Sequence, residues 1–208
     1  VFLNYRESVE RASAYLSEQG FSVSAFHGGL DQRGRESALY RFANGSACIL
    51  VSTDLGSRGL DIPDVENIIH YHMPETKEAY LHRIGRTARW DKNGRTFFIL
   101  ATGEKIPDYV AGDIPNYSLS SKGMPARPRM TTLYIGKGKK DKISKGDLVG
   151  FLCKKGGLSK DDIGRIDVRD YYCYVAVSRS KAAEMLKKVR GEKIKGLRTL
   201  VEIAAPEA

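Results

Sequence analysis

The chain has 208 residues, 41% of them hydrophobic and 28% charged, with a formal net charge of +9. That length suits one or two packed domains of ordinary globular composition. No apolar run reaches the roughly eighteen residues a membrane-spanning helix needs, and the opening "VFLNY" reads as a strand rather than a signal peptide.

With no initiator Met, the sequence is expected to be a fragment of a longer protein. Cys48, Cys153 and Cys173 lie far apart and have neither zinc-finger spacing nor a disulfide framework. They are expected to be small buried hydrophobes in a reducing cytoplasm. The charge is uneven. Residues 1–102 hold 12 Lys/Arg and 12 Asp/Glu, whereas residues 131–205 hold 18 against 9. A localised basic surplus is the electrostatic footprint of a nucleic-acid partner, although a lysine-rich solvated surface would give the same count.

In chain order, residues 1–102 alternate strands and helices. "VFLN", "VSAFHG", "CILVST", "NIIHYH" and "TFFIL" are predicted strands. "ESVERASAYLSEQ", "DQRGRESALYRFAN" and "TKEAYLHRIGR" carry apolar residues near helical spacing, with Gly20 and Asn44-Gly45 as helix stops. This alternation predicts an α/β fold, a parallel sheet with helices on both faces and functional groups in the loops after the strand C-termini. Residues 103–130 hold four of the seven prolines and read as an irregular connector with one short helix near 104–110.

From residue 131 the pattern restarts. "TTLYIGKG" is a strand, "SKGDLVGFLCKK" a helix capped by Ser144, "IGRIDVRD" and "YCYVAVS" strands, "RSKAAEMLKKVRG" an amphipathic helix and "TLVEIA" a last strand. The order βαββαβ predicts a small ferredoxin-like α+β domain over residues 131–205.

Four clusters in the first domain fall at loop positions. "HGGLDQRGRE" puts Gln32 and Arg35 one turn apart at a helix start. "VSTDLGSRGLD" places Thr53, Arg58 and Asp61 around Gly56, Ser57 and Gly59, which leave room for a phosphate to touch backbone amides. "YLHRIGRTARWD" spaces Arg83, Arg86 and Arg89 three residues apart, a crowding of guanidiniums that calls for an anion. "FLNYR" adds Asn4 and Arg6. Gln32, Arg35 and Thr53 suit contacts to a nucleic-acid backbone, Asp61 could accept hydrogen bonds from a ribose, and Arg86 with Arg89 suits a phosphate that gains charge during transfer. Taken singly, each cluster has a plainer reading: solvated helix faces, a turn, or arginines paired with acids such as Glu75 and Glu78.

"HRIGRTAR", "STDLGSRGLD" and "QRGR", in this order, closely resemble motifs of the second RecA-like domain of DEAD-box RNA helicases, over residues 1–102. Ala88 stands where that family has a glycine. The resemblance implies that Arg86 and Arg89 approach the γ-phosphate of ATP, that Asp61 and Gly59 contact the nucleotide, and that His82 couples the ATP and RNA sites. It also implies that Gly28, Gln32, Arg35, Thr53 and Arg58 hold the RNA backbone. The chain contains no G-x-x-x-x-G-K-[ST] and no D-E-A-D. The phosphate loop and the magnesium ligands are therefore expected on a preceding RecA-like domain, no metal is expected in this chain, and the chain alone is expected to lack ATPase activity.

In the second domain, "LYIGKG" and "DYYCYVAV" fit the two inner strands of an RNA-recognition motif, loosely for the latter. Tyr134, Tyr172 and Tyr174 share the parity of an open sheet face on which bases could stack, surrounded by Lys137, Lys139, Lys140, Lys142, Arg165 and Arg169. Strand tyrosines are also common from β-propensity alone, and many such folds bind protein. The run "TLYIGKGKKDKISKGDLVGFLCKKGGLSKDDIGRIDV" resembles the C-terminal RNA-binding domain of DbpA-type bacterial DEAD-box helicases. That resemblance implies a cytoplasmic helicase tethered to large-subunit ribosomal RNA and remodelling RNA in ribosome assembly. The alternatives are a cold-shock or mRNA-decay helicase with a similar tail, a DNA helicase, or a non-catalytic RNA-binding adaptor.

Overall fold

The computed structural model describes residues 1–54, 65–86, 94–112, 114–118, 123, 125 and 127–204. They fall into two units, Val1–Arg35 with Ile49–Ala126, and Glu36–Cys48 with Arg127–Ala208.

In the first unit, α1 (Arg6–Glu18), β1 (Val23–Phe26), α2 (Gln32–Ala43, which the division crosses), β2 (Ile49–Ser52), β3 (Asn67–His70), α3 (Lys77–Ile84) and β4 (Arg95–Phe98) follow one another. β1 pairs in parallel with β2, and β3 with β4. The two pairs are joined by one residue: Phe2 bridges in parallel to both Ser52 and His70. The strand expected over "VFLN" is thus reduced to a single bridging position, held by Phe2 N–H to Ile69 O at 2.8 Å and Leu3 N–H to Ser52 O at 3.0 Å. Leu3, Val9, Val23 and Val51 form the core, with Ala12, Leu16 and Phe21 packed against it. Gly20, at φ 85°, ends α1 in the left-handed conformation that favours glycine. All the strands run the same way, so the segments after β1, β2 and β3 emerge at one edge of the sheet.

The connector holds no helix at 104–110. Glu104 N–H reaches Ala101 O and Val110 N–H reaches Pro107 O, both at 3.0 Å, as separate turns. Pro107 accounts for the difference: it offers no N–H, and it steers the residue before it away from helical dihedrals.

The second unit contains β5 (Met130–Ile135), α4 (Lys145–Lys154), β6 (Ile163–Val168), β7 (Cys173–Ser178), α5 (Arg179–Val189), a hairpin of β8 (Lys193–Ile194) and β9 (Leu197–Arg198), and β10 (Val201–Ile203). Its four-stranded antiparallel sheet has the order β10-β5-β7-β6, the arrangement that βαββαβ requires. Ser144 caps α4 as a capping box: its Oγ accepts from Asp147 N–H at 3.2 Å, and Asp147 Oδ2 accepts from Ser144 N–H at 2.9 Å. The β8–β9 hairpin is an element beyond the sequence pattern. Lys195 and Gly196, at φ 53° and 81°, form its turn, and positive φ at both central residues is what a tight hairpin of matching twist needs.

Alternation decides the faces of this sheet. Leu133, Ile135, Val175 and Val177 point towards α4 and α5 and are fully buried with Leu148 and Leu152. Cys173 joins this core, donates Sγ–H to Lys137 O at 3.0 Å, and has its thiol pushed up to about 11 by burial. Cys153 is partly buried, but Cys48 is exposed, contrary to expectation; it sits one residue before β2, outside the packed part of the strand. Among the described residues no helix is long and apolar enough to cross a membrane. Truncating fully buried Leu148 removes apolar contacts and leaves a cavity, so Leu148→Ala should lower unfolding free energy by about 2–5 kcal/mol in urea titrations.

Candidate functional site

Thr76 starts α3 by accepting from Ala79 N–H at 3.1 Å, and the helix runs to Gly85. Arg83, in its last turn, is completely buried. Its guanidinium meets Asp54 with two hydrogen bonds, Nε to Oδ1 at 2.6 Å and Nη2 to Oδ2 at 2.7 Å. Nη2 also donates to Asn4 Oδ1 at 2.8 Å, and Nη1 to His72 O at 2.8 Å and His70 Nδ1 at 3.2 Å. All five N–H groups are engaged, and the cation lies 5.2 Å from the Phe2 ring centre. Of the three spaced arginines, this one finds its anion inside its own unit, and that anion is neither Glu75 nor Glu78.

His70 completes the cluster. It stacks on Phe98 at 4.7 Å between ring centres and is fully buried. Burial, then the Arg83 cation, pushes its pKa down to about 4, so the ring is neutral near pH 7. Because an arginine N–H only donates, Nδ1 accepts and Nε2 carries the proton. Asn4 N–H donates to His72 Nδ1 at 3.1 Å, and Asn4 Nδ2 donates to Met73 O at 3.1 Å. The segments after Phe2, β2 and β3 are thereby tied to α3. Arg86 lies partly buried just past the helix, its N–H donating to Arg83 O at 3.2 Å, and His82 is exposed on α3.

At the same sheet edge, Asp31 caps α2 by accepting from Gly34 N–H at 2.6 Å. Gln32 and Arg35 stand one turn apart, with Arg35 Nη2 donating to Gln32 Oε1 at 3.2 Å. Gly28 is exposed, and a Cβ built there would meet nothing within 4 Å, so a backbone could approach closely. Thr53 is only 7% exposed, and its Oγ1 has no hydrogen-bond partner among the described residues. A buried hydroxyl in that condition is costly unless something else pairs with it, which suits an incoming phosphate oxygen. Arg58, Gly59, Asp61 and Arg89 lie outside the described residues, as do Gly56, Ser57 and Ala88.

In the second unit, Tyr134, Tyr172 and Tyr174 do meet on one face, with ring centres 5.4–6.0 Å apart. The face is not the open platform expected. Tyr174 is 2% exposed and packs on Tyr40 at 5.0 Å, and the Tyr172 hydroxyl donates to the Glu36 carboxylate. Burial, with Glu36 beside it, raises the Tyr172 phenol well above its ordinary value. Arg165 and Arg169 lie over Tyr40 at 5.6 and 5.2 Å; Arg165 also pairs with Asp167 at 2.6 Å and Arg169 with Glu36 at 3.7 Å. Strand parity fixes which side a tyrosine faces but carries no information about what packs on that side. Among the lysines, Lys137 is half-buried and pairs with Asp141 at 2.9 Å, while Lys139, Lys140 and Lys142 are exposed.

Comparison with known families and proteins bears on both units. Residues 1–91 match the helicase conserved C-terminal domain, and residues 132–203 match the DbpA RNA binding domain. The chain is 38% identical to the ATP-dependent RNA helicase DbpA of Escherichia coli over 94% of its own length and 44% of that protein's. It is 30% identical to the ATP-dependent RNA helicase DbpA of Bacillus subtilis, over 94% of its own length and 47% of that protein's. It is also 45% identical to the ATP-dependent RNA helicase DBP3 of Mycosarcoma maydis, over 47% of its own length and 17% of that protein's. The chain joins a DEAD-box helicase C-terminal domain to a DbpA-type RNA-binding domain. It spans about half the length of the two DbpA proteins it matches.

In the helicase domain the sequence motifs thus divide into two kinds. Arg83 works inward, holding the domain's loops together, while Gln32, Gly28 and Thr53 sit at the rim where the strands end. The role of Arg83 was missed because its partner, Asp54, lies 29 residues away, in a different motif. The only signal was that an acidic residue directly follows "VST" at a strand end.

Removing one partner of this pair strands a charge. Arg83→Met should cost about 3–5 kcal/mol in urea titrations of the 208-residue chain, and a double variant Arg83→Met/Asp54→Leu should recover part of it. An Arg83→Met chain as stable as wild type would show that the pair does not hold the loops. For pH, the folded pKa of His70 near 4 lies below its unfolded value near 6.5. Between those values the unfolded chain binds a proton that the folded chain refuses, so stability falls as pH drops from about 6.5 to about 4. The full effect is roughly 3 kcal/mol. His70→Asn should flatten this part of a stability-against-pH curve.

Proposed function

We propose that this chain is the C-terminal portion of a cytoplasmic, ATP-dependent DEAD-box RNA helicase that remodels large-subunit ribosomal RNA during ribosome assembly. The observation that carries the reading is the pairing, within one chain, of a helicase C-terminal domain with a DbpA-type RNA-binding domain. The Thr53 hydroxyl at the strand-end rim, without a hydrogen-bond partner among the described residues, and the +9 surplus of residues 131–205 support RNA as the partner. The donor set fits a nucleoside triphosphate. Guanidiniums at Arg86 and Arg89 suit phosphate oxygens, and a carboxylate at Asp61, beside Gly59, suits ribose hydroxyls.

Arg83 has no N–H to spare, so the work on phosphate belongs to Arg86 and Arg89. They lend positive charge to oxygens that gain negative charge during transfer, an effect that contributes about 10³–10⁵ in rate where such arginines act. ATP itself supplies the phosphoryl group, with magnesium held by carboxylates of a preceding RecA-like domain. His82, exposed on the helix that carries Arg83, is placed in this reading between the nucleotide and RNA surfaces. Gly28, Gln32, Arg35, Thr53 and Arg58 grip backbone without reading bases, so choice of RNA rests with the second domain. That domain raises the concentration of the helicase core at one RNA locus without adding contacts to the core.

The test uses the full-length helicase that contains this chain, its deletion of residues 131–208, and its Arg86→Ala variant. The deletion should keep RNA-stimulated ATPase while losing preference for ribosomal over random RNA, and Arg86→Ala should lose most of the stimulated rate. Equal stimulation by both RNAs before deletion would overturn the ribosomal assignment and favour a general mRNA or cold-shock helicase. An unaffected Arg86→Ala rate would remove the arginine from the chemistry.

A further inference from the structure

The three tyrosines predicted from strand parity leave out a fourth. Tyr171 sits on the turn between β6 and β7, beside Tyr172 but outside the sheet, and is 63% exposed. It has company. Lys140 Nζ lies 4.4 Å from the Tyr171 ring centre and donates to its hydroxyl.

The two segments are laced together through their backbones. Lys139 N–H donates to Arg169 O at 2.8 Å and Lys140 N–H to Asp170 O at 2.9 Å. Gly138 allows this approach, since a Cβ there would stand 2.3 Å from Arg169 O. Asp141 closes the loop from within by accepting from Gly138 N–H at 3.1 Å and pairing with Lys137 at 2.9 Å. Lys142 takes the left-handed conformation at φ 59°, and Lys195 Nζ donates to its carbonyl at 2.8 Å. The one acidic residue of the 137–142 loop is thus used to build it, while Lys139, Lys140 and Lys142 are exposed, with the Lys140 ammonium against Tyr171.

We propose that Tyr171 and this lysine loop form a preorganised clamp for one unpaired RNA nucleotide, whose base stacks on the open Tyr171 face while its flanking phosphates meet Lys139 and Lys140. This rests on the RNA-binding reading of the second domain and names where that reading acts. The chemistry selects the occupant. An aromatic ring edged by fixed cations matches a base and its phosphates, and such stacking tolerates any base. A ring on a protruding turn reaches a splayed-out base but not one stacked inside an A-form helix, so loops and bulges are bound in preference to duplex. Because the lacing fixes ring and ammonium before RNA arrives, little conformational entropy is lost on binding.

The test measures anisotropy with the 208-residue chain and two labelled probes, a hairpin RNA with an unpaired loop and the blunt duplex of the same stem. Tyr171→Ala should weaken binding of the hairpin roughly five- to 150-fold and leave duplex binding and the salt dependence unchanged. Tyr171→Phe should keep most of the affinity, and Lys140→Gln should reduce the log–log salt slope by about 0.7. If the wild-type chain binds the hairpin and Tyr171→Ala binds it equally well, the clamp is wrong while the RNA-binding reading stands. If Phe weakens binding as much as Ala, the hydroxyl and not the ring makes the contact, and stacking is overturned. If the wild-type chain binds neither probe, both readings fall.

Discussion

The helicase domain depends on one buried cation. Arg83 cannot lose its charge, and with no exposure to bulk solvent it depends on the surrounding chain for an acceptor for every N–H. Asp54 takes two of the bonds, and Asn4, His70 and His72 take the rest. These acceptors lie after Phe2, at the end of β2 and around the end of β3, so satisfying one guanidinium fixes the mutual position of three loops and a helix. A lysine could not substitute, because three donors on a point charge cannot reproduce a planar fork with two bonds to one carboxylate. The pair is better understood as a device for geometry than as a source of net stability, since two well-packed apolar groups can often replace such a pair at little cost.

That geometry has a consequence at the rim. The chain that leaves α3 towards Arg86 starts from a fixed point, and so does the segment that carries Thr53. Among the described residues, Asn4, Asp54, His70, His72 and Arg83, which the sequence presents in separate motifs, are joined in one hydrogen-bonded cluster.

The RNA-binding domain uses a different principle. Its sheet spends one face on the core beneath α4 and α5, and on the other face Tyr174 and Tyr172 are engaged by Tyr40 and Glu36. Exposed Lys139, Lys140 and Lys142 sit on the loop after β5, whose backbone hydrogen bonds to the β6–β7 turn hold that loop in place. A sheet of this order can therefore offer a binding surface at its loop end without exposing its central strands.

Much was legible in the sequence. Periodicity located three helices and the parallel pairs of the first domain, and the βαββαβ order of the second, because the 3.6- and 2-residue repeats follow directly from backbone geometry. The Ser144 cap could be read from four adjacent residues because its hydrogen bonds are local. The motifs, too, carried the resemblance to DEAD-box helicases that the family matches support. Other features depended on residues far apart in the chain. No local pattern could tell that Arg83 pairs with Asp54, that the first strand shrinks to Phe2, that Tyr174 is covered, or that the lysine loop is laced to the turn bearing Tyr171. The sequence by itself determined the elements, their order and the chemistry available. Only the tertiary structure decided which charges turn inward and which stay exposed, because burial and hydrogen-bond satisfaction are set by the neighbours the fold supplies.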